Sequence, residues 1–484
     1  MSVVKSLLAT SLAFALVSLV GCSDSGDSAA PNITNLSHTD NQKVIGNRTI
    51  TLSADVSDDS SVASVTITHN GNSQTVTNTS GAYSANITLA DRANNTVVIT
   101  ATDASNNQTI QTIVLDYPFH SFANGQAASV VIGQPDFYTT IANQGGMVGA
   151  NTLYEPYAVR VINNKLYIAD GGNNRVLGFN AIPAVNNASA DFVIGQDSFT
   201  TDSLGYSNTQ LNRPRGIASN GSNFFISHAG FGRIHYWSSV PTSNVSAEVV
   251  TGKPDFITGT GFVCAQDVFF FAAGSIFNVN GKLIAVDFLN RILIWNSIPT
   301  INGQAADLVL GQQNFTNCAS NDSDGDGTPD TPTASTLNSV SSIWTDGTRL
   351  VATDRLNHRV LIWNTFPTVS GQPADLVLGQ PDFTTINTPS QSYNPIDLDQ
   401  PSGVYSNGNQ LFVSTRRRVL IWNSWPSVNH QAADGVLGHI DLNGDNTGLG
   451  NDALMDNPTN IYIYDSKLFV SDNNDDRVLI FEAP

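Results

Sequence analysis

One ten-residue phrase limits what this chain can fold into: Ala-Asp-Leu-Val-Leu-Gly-Gln-Pro-Asp-Phe, clearest at residues 374–383. It returns, with changes, at 129–137, 190–199, 247–256, 306–315 and 433–442. Its glycine falls at Gly133, Gly195, Gly252, Gly311, Gly379 and Gly438, so the steps are 62, 57, 59, 68 and 59 residues. Six copies at a period near 60 mark an architecture assembled from one repeated unit.

Each unit follows one plan. After the phrase comes a variable connection, then in four units a proline near a strand start: Pro156, Pro214, Pro401 and Pro458. Next is a tight turn such as Asn220-Gly221, Asn280-Gly281, Asp346-Gly347 or Asn407-Gly408, pairs that suit two-residue hairpins. A strand such as 166–170 or 468–472 follows, then an arginine at Arg175, Arg233, Arg291, Arg359, Arg418 or Arg477 that opens a third strand. The next phrase supplies a fourth. Four strands repeated six times predict a six-bladed β-propeller over residues 118–484. The first phrase precedes any complete unit and the sequence stops after a third strand, so the strand near 130–133 is expected to complete the last blade and cover two open sheet edges.

The runs Tyr167-Ile168-Ala169-Asp170-Gly171-Gly172-Asn173-Asn174-Arg175-Val176 and Asp354-Arg355-Leu356-Asn357-His358-Arg359-Val360 resemble NHL repeats. The resemblance implies the propeller fold and no single activity, because that family includes lyases, scaffolds and nucleic-acid binders.

The N-terminus reads as an address. Lys5 precedes an apolar run at 7–20, closed by Leu19-Val20-Gly21-Cys22. This resembles the lipobox of bacterial lipoproteins, which implies cleavage after residue 21 and lipid on Cys22. Ser23 after the cysteine fits outer-membrane sorting, facing the periplasm or the cell surface. Residues 22–31 read as a tether, and lipid would be the sole membrane attachment.

Residues 32–117 carry short alternating strands, among them 49–56, 65–68, 83–89, 97–102 and 110–115, separated by turns such as Asn70-Gly71 and Ser80-Gly81. The spacing predicts a small β-sandwich. The Gly81-to-Leu89 and Asn95-to-Asp103 runs resemble bacterial immunoglobulin-like domains. The fold class is therefore all-β: an immunoglobulin-like sandwich followed by the propeller. A spacer role is preferred for the sandwich over an adhesive one.

The composition narrows the partners. With 21 basic against 40 acidic residues the net charge is −19, which repels phosphate backbones, so nucleic acid is not expected. His-Glu-x-x-His, Gly-x-Ser-x-Gly, Cys-x-x-Cys and phosphate-loop signatures are missing, and the inner strands near Val159, Ile217, Ile276, Ile343, Val404 and Ile461 hold no histidine. His228 and His358 read as surface residues. The repeated arginines read as partners of Asp170, Asp287, Asp354 and Asp472, and Trp237, Trp295, Trp363 and Trp422 as packing between blades.

The step of 68 contains an insertion carrying Asp322, Asp324, Asp326 and Asp330 around Gly325 and Gly327. Alternating aspartates suit calcium, and the segment resembles Asp-x-Asp-Gly-Asp-Gly calcium loops, although it lacks the bidentate glutamate of an EF-hand. Cys264 and Cys318, the cysteines besides Cys22, read either as one disulfide or as two buried thiols. No catalytic residue or organic cofactor is expected. The functional expectation is a lipoprotein that binds a protein or glycan through the connections near 138–153, 200–212, 257–271, 316–337 and 384–399. A hydrolase or lyase acting at the channel mouth is the alternative.

Overall fold

The computed structural model describes residues 27–44, 49–90, 94–117, 121–230, 232–259, 264–269, 272–288, 290–389 and 393–483. Cys22 lies outside them. The chain divides into two compact units, one ending at Asp116 and one running from Tyr117 to Pro484 with Val44–Asn47.

The first unit has a four-stranded sheet and a five-stranded sheet. Thr49–Ser57 pairs with Ala82–Thr88, and Asn94–Asp103 lies between Val62–His69 and Gln108–Asp116. Alternate residues point inward as the pleat requires, so Leu52, Ala54, Val56, Ile87, Val97 and Ile99 are buried.

The second unit holds six four-stranded sheets. Sheet 1 is Pro156–Ile162, Lys165–Asp170, Arg175–Phe179 and Phe192–Ile194, every pairing antiparallel. Sheets 2 to 5 repeat this order with first strands Pro214–Ala218, Ala272–Val279, Val340–Thr345 and Gly403–Ser406. Sheet 6 is Pro458–Tyr464, Lys467–Asp472 and Arg477–Glu482, and its outer strand is Val130–Ile132 from the other end of the unit, in the register Val130↔Ile480. The repeated phrase is the fourth strand each time.

Its glycine has a steric reason. Gly379 sits at φ 87°, where a Cβ would meet the His358 carbonyl oxygen at 2.6 Å and the Leu398 side chain at 2.9 Å. The hairpin turns are less uniform than expected. Asn280 and Gly281 both have positive φ (51° and 73°), the two-residue geometry. At Gly221, Gly347 and Gly408 the glycine N–H instead donates to Ser219, Thr345 or Ser406 Oγ, and the turn is longer.

Core clusters form between sheets. Each joins two consecutive sheets: Leu166 and Tyr167 face opposite neighbours, Leu166 with Phe469 and Ile480 of sheet 6, Tyr167 with Phe224 and Trp237 of sheet 2. Trp237, Trp295, Trp363 and Trp422 are all buried, and their indole N–H groups donate to the carbonyls of Val245, Gln304, Gln372 and Gln431. The outer edges are also covered. Asn186, Asn244, Asn302, Asn429 and Asn124 accept hydrogen bonds from fourth-strand N–H groups at or beside the strand of the preceding sheet, which blunts edge-to-edge pairing.

Candidate functional site

Of the six repeated arginines, four form a buried staple. Arg175, Arg291, Arg359 and Arg477 meet Asp170, Asp287, Asp354 and Asp472 at 2.6–3.0 Å. The same guanidinium reaches forward to the phenylalanine carbonyl that ends the next phrase, at 2.6 Å for Arg175–Phe199 and Arg291–Phe315 and 2.8 Å for Arg477–Phe137. It also reaches back to the incoming connection, at Thr152, Val268, Thr336 or Leu454. Burial drives the Asp170 and Asp354 carboxyls up, against the pull of their arginines. Each guanidinium nitrogen is engaged within the protein, so these arginines hold loops rather than face a ligand.

Sheets 2 and 5 depart from the staple. His228 and Thr415 stand where the aspartate would be. Arg233 Nε, Arg418 Nη1 and Thr415 Oγ1 are left without hydrogen-bond partners among the described residues. Burial lowers the Arg418 guanidinium to about 10. Sheet 2 also has His235 where the other five sheets have Leu177, Leu293, Leu361, Leu420 and Leu479. Both ring nitrogens of His235 are buried and unpartnered, and burial with the nearby Arg233 charge holds the ring down to about 3. His228 and His358 are buried, 1% and 7% exposed, which corrects their reading as surface residues. His228 ends a strand and His358 a hairpin turn, and each lies against an incoming connection, accepting from the Asn212 or Gln400 N–H at 3.2 and 3.3 Å; His358 also reaches Asp399 at 3.4 Å.

The arginines outside the repeat are placed differently. A pocket of about 230 Å³ receives side chains from all six sheets, including Tyr157, Arg215, Phe288, Ser341, Arg355 and Ser402. Two repeat positions supply most of it. Tyr157, Arg215, Ser341, Ser402 and Thr459 lie two residues before Val159, Ile217, Ile343, Val404 and Ile461, while Phe288, Arg355 and Asn473 directly follow the staple aspartates. The Arg215 guanidinium lies over the Tyr157 ring at 4.4 Å and donates to its hydroxyl at 3.0 Å. Arg355 donates to Gln400 Oε1 at 2.7 Å, and its burial lowers the guanidinium while Asp399 opposes this. Neither arginine has an ion-pair partner among the described residues. Among the described residues the lining contains no carboxylate, histidine, lysine or cysteine.

A second pocket, about 220 Å³, lies at the far ends of the first strands. Arg160 fills its wall, bonded to the Val159 carbonyl and Asn460 Oδ1 and facing the Tyr462 and Phe277 rings at 5.0 and 5.6 Å. Its contacts are aromatic and internal, so it reads as packing.

In the acidic insertion the structure brings oxygens of Asp322, Asp324 and Asp330 within 4.8 Å of one another. Asp326 is not in that group; its carboxylate accepts from the Thr328 N–H and hydroxyl. Asp322 already accepts from the Gly325 and Gly327 N–H groups at 2.7 and 2.9 Å. Nearby, a disulfide joins Cys264 and Cys318, with Cα atoms 6.1 Å apart.

The family model for the bacterial Ig domain matches residues 31–101, so a domain of that kind is present in the first unit. No curated protein matches the chain at a significant level. Similar solved structures include an auxiliary nutrient binding protein from Bacteroides ovatus, at 11% identity over 94% of this chain and 98% of that one, with a TM-score of 0.39. Glutaminyl cyclase from Myxococcus xanthus is 13% identical over 55% and 88%, TM-score 0.29. The computationally designed Ika8 protein is 10% identical over 74% and 100%, TM-score 0.35. Identity and score are low in all three. Among the described residues no helix is long and apolar enough to cross a membrane.

Proposed function

We propose that the chain is a non-catalytic binding protein of the bacterial envelope, whose six sheets are the blades of a closed NHL-type propeller and whose ligand is a small glycan held in the six-sheet pocket. Three features support closure. Val130–Ile132 completes sheet 6, sheets 6 and 1 share a core cluster, and the sheet 5 edge is capped by Asn124, just ahead of that completing strand.

The observation that carries the binding reading is the pocket's chemistry. Guanidinium, hydroxyl, amide and aromatic groups orient a polar ligand. General acid–base work needs a histidine, carboxylate or lysine within reach, and the described residues of the lining offer none of these. This moves the proposed recognition from the connections alone to the strand starts and hairpin turns beneath them.

The test is calorimetric titration of the full chain with a panel of mono- and oligosaccharides, followed by mass analysis of the recovered ligand. Saturable binding of an intact sugar, lost in Tyr157→Ala, is expected. Conversion of the sugar to product would favour the hydrolase or lyase reading instead.

Two further proposals can be checked on one preparation. Cys22 would carry lipid, so Cys22→Ser should leave the protein in the soluble fraction; retention in membranes counts against it. Asp322, Asp324 and Asp330 would hold calcium, so a chelator should lower the melting temperature, and an unchanged melt counts against that site.

A further inference from the structure

We propose that the six-sheet pocket takes an acidic sugar, a single uronate residue or chain end whose carboxylate is held by Arg215 with Arg355 nearby. The inference rests on the binding reading above and specifies its ligand.

Charge is the first argument. The protein carries −19 overall, yet among the described residues this pocket is lined by two arginines and no acid. Four of the buried arginines meet a carboxylate, whereas the partly buried Arg215 meets the face and hydroxyl of Tyr157. Asp399, the acid nearest in effect to Arg355, is engaged by His358 at 3.4 Å. A guanidinium presents a planar fork that matches a carboxylate bidentately, and the stack on Tyr157 restricts that fork to a small set of directions.

Unsatisfied groups point the same way. Arg215 Nε and Ser341 Oγ are buried without a hydrogen-bond partner among the described residues. Such groups destabilise a folded protein unless something completes them.

The remaining walls suit a sugar ring. Asn457 and Asn473 use their amide N–H groups on Asn474 Oδ1 and the Pro156 carbonyl, at 3.3 and 3.2 Å. Their side-chain amide oxygens have no protein partner among the described residues and can accept from ligand hydroxyls. Phe288 and Tyr157 offer faces for C–H groups. An amino acid fits poorly, because its ammonium would find no carboxylate among the described lining residues. The volume, about 230 Å³, is below the ~300 Å³ at which drug-sized sites begin, which suits one ring.

The test titrates the full chain with D-glucuronate, D-galacturonate, D-glucose, D-galactose and glucose 6-phosphate. At least one uronate should bind, with its neutral counterpart weaker by about tenfold or more. Arg215→Gln should weaken uronate binding roughly 10- to 100-fold, the loss of a charge-assisted pair, while keeping the parent melting temperature. Ser341→Ala should weaken it less. Tighter binding of glucose 6-phosphate than of either uronate would overturn the carboxylate assignment in favour of a phosphate. Equal binding of neutral and acidic sugars, insensitive to Arg215→Gln but lost in Tyr157→Ala, would overturn the acidic class and leave the glycan-binding reading standing. Absence of binding by every probe would overturn both.

Discussion

Arg355 and Arg359 are four residues apart in one hairpin and live in different chemical worlds. Arg359 is fully buried, bonded to Asp354 at 2.6 Å and to the Phe383 and Thr336 carbonyls. Arg355 is half-exposed, bonded to a neutral glutamine, and lines the six-sheet pocket. The first recurs in every unit, with its aspartate in four; at the second position an arginine returns only at Arg416, beside Thr415. A residue repeated with its internal partners marks the frame, and one whose identity varies between units and that has no ion-pair partner among the described residues is free to serve recognition.

The sharpest way to break this contrast is at the staple. Asp354→Ala leaves Arg359 buried without its carboxylate, which should cost about 3–5 kcal/mol. Urea denaturation measures it. A loss under about 1 kcal/mol, the range of a surface change, would mean that the carbonyl partners alone hold the arginine and that the staple is not the frame's fastening.

A smaller effect sharpens the comparison within the frame. His235 occupies a leucine position with both nitrogens unpartnered, so His235→Leu should stabilise by about 1–2 kcal/mol. The gain should depend on pH. The buried imidazole titrates only near 3, whereas in the unfolded chain it takes up a proton below about 6.5. Its contribution to stability is therefore intact above 6.5 and drains away as pH falls toward 3. The gap in melting temperature between variant and parent should widen between pH 7.5 and 5. A constant gap would show that His235 is already solvated or protonated in the fold.

Much of the frame was legible because it repeats. The arginines, their four aspartates, the phrase glycine and the buried tryptophans each recur at a fixed register, and repetition is what a single sequence displays best. The pocket was illegible for the complementary reason. Tyr157, Arg215, Ser341, Ser402 and Thr459 occupy one register, and a scatter of small hydroxyl residues with one tyrosine and one arginine resembles ordinary variation until the sheets bring them to one place. The signal that could have found them was positional: two residues before a repeated valine or isoleucine, and one after a repeated aspartate. The surface reading of His228 and His358 fails because hydrophilic residues at the edge of a turn suggest solvent, while the connections here pack over that end of the hairpin and bury them. Asp326, equivalent in sequence to its neighbouring aspartates, separates from them because its carboxylate closes a local turn on Thr328.

The central claim is that the residues fastening the repeated sheets and the residues proposed to hold a ligand are separate sets. Its most direct test measures melting temperature and uronate affinity side by side for Asp354→Ala and Arg215→Gln. The account predicts that Asp354→Ala lowers the melting temperature and, below its transition, binds like the parent, while Arg215→Gln melts like the parent and loses affinity. Arg215→Gln unfolding as readily as Asp354→Ala, or Asp354→Ala losing affinity while still folded, would contradict it.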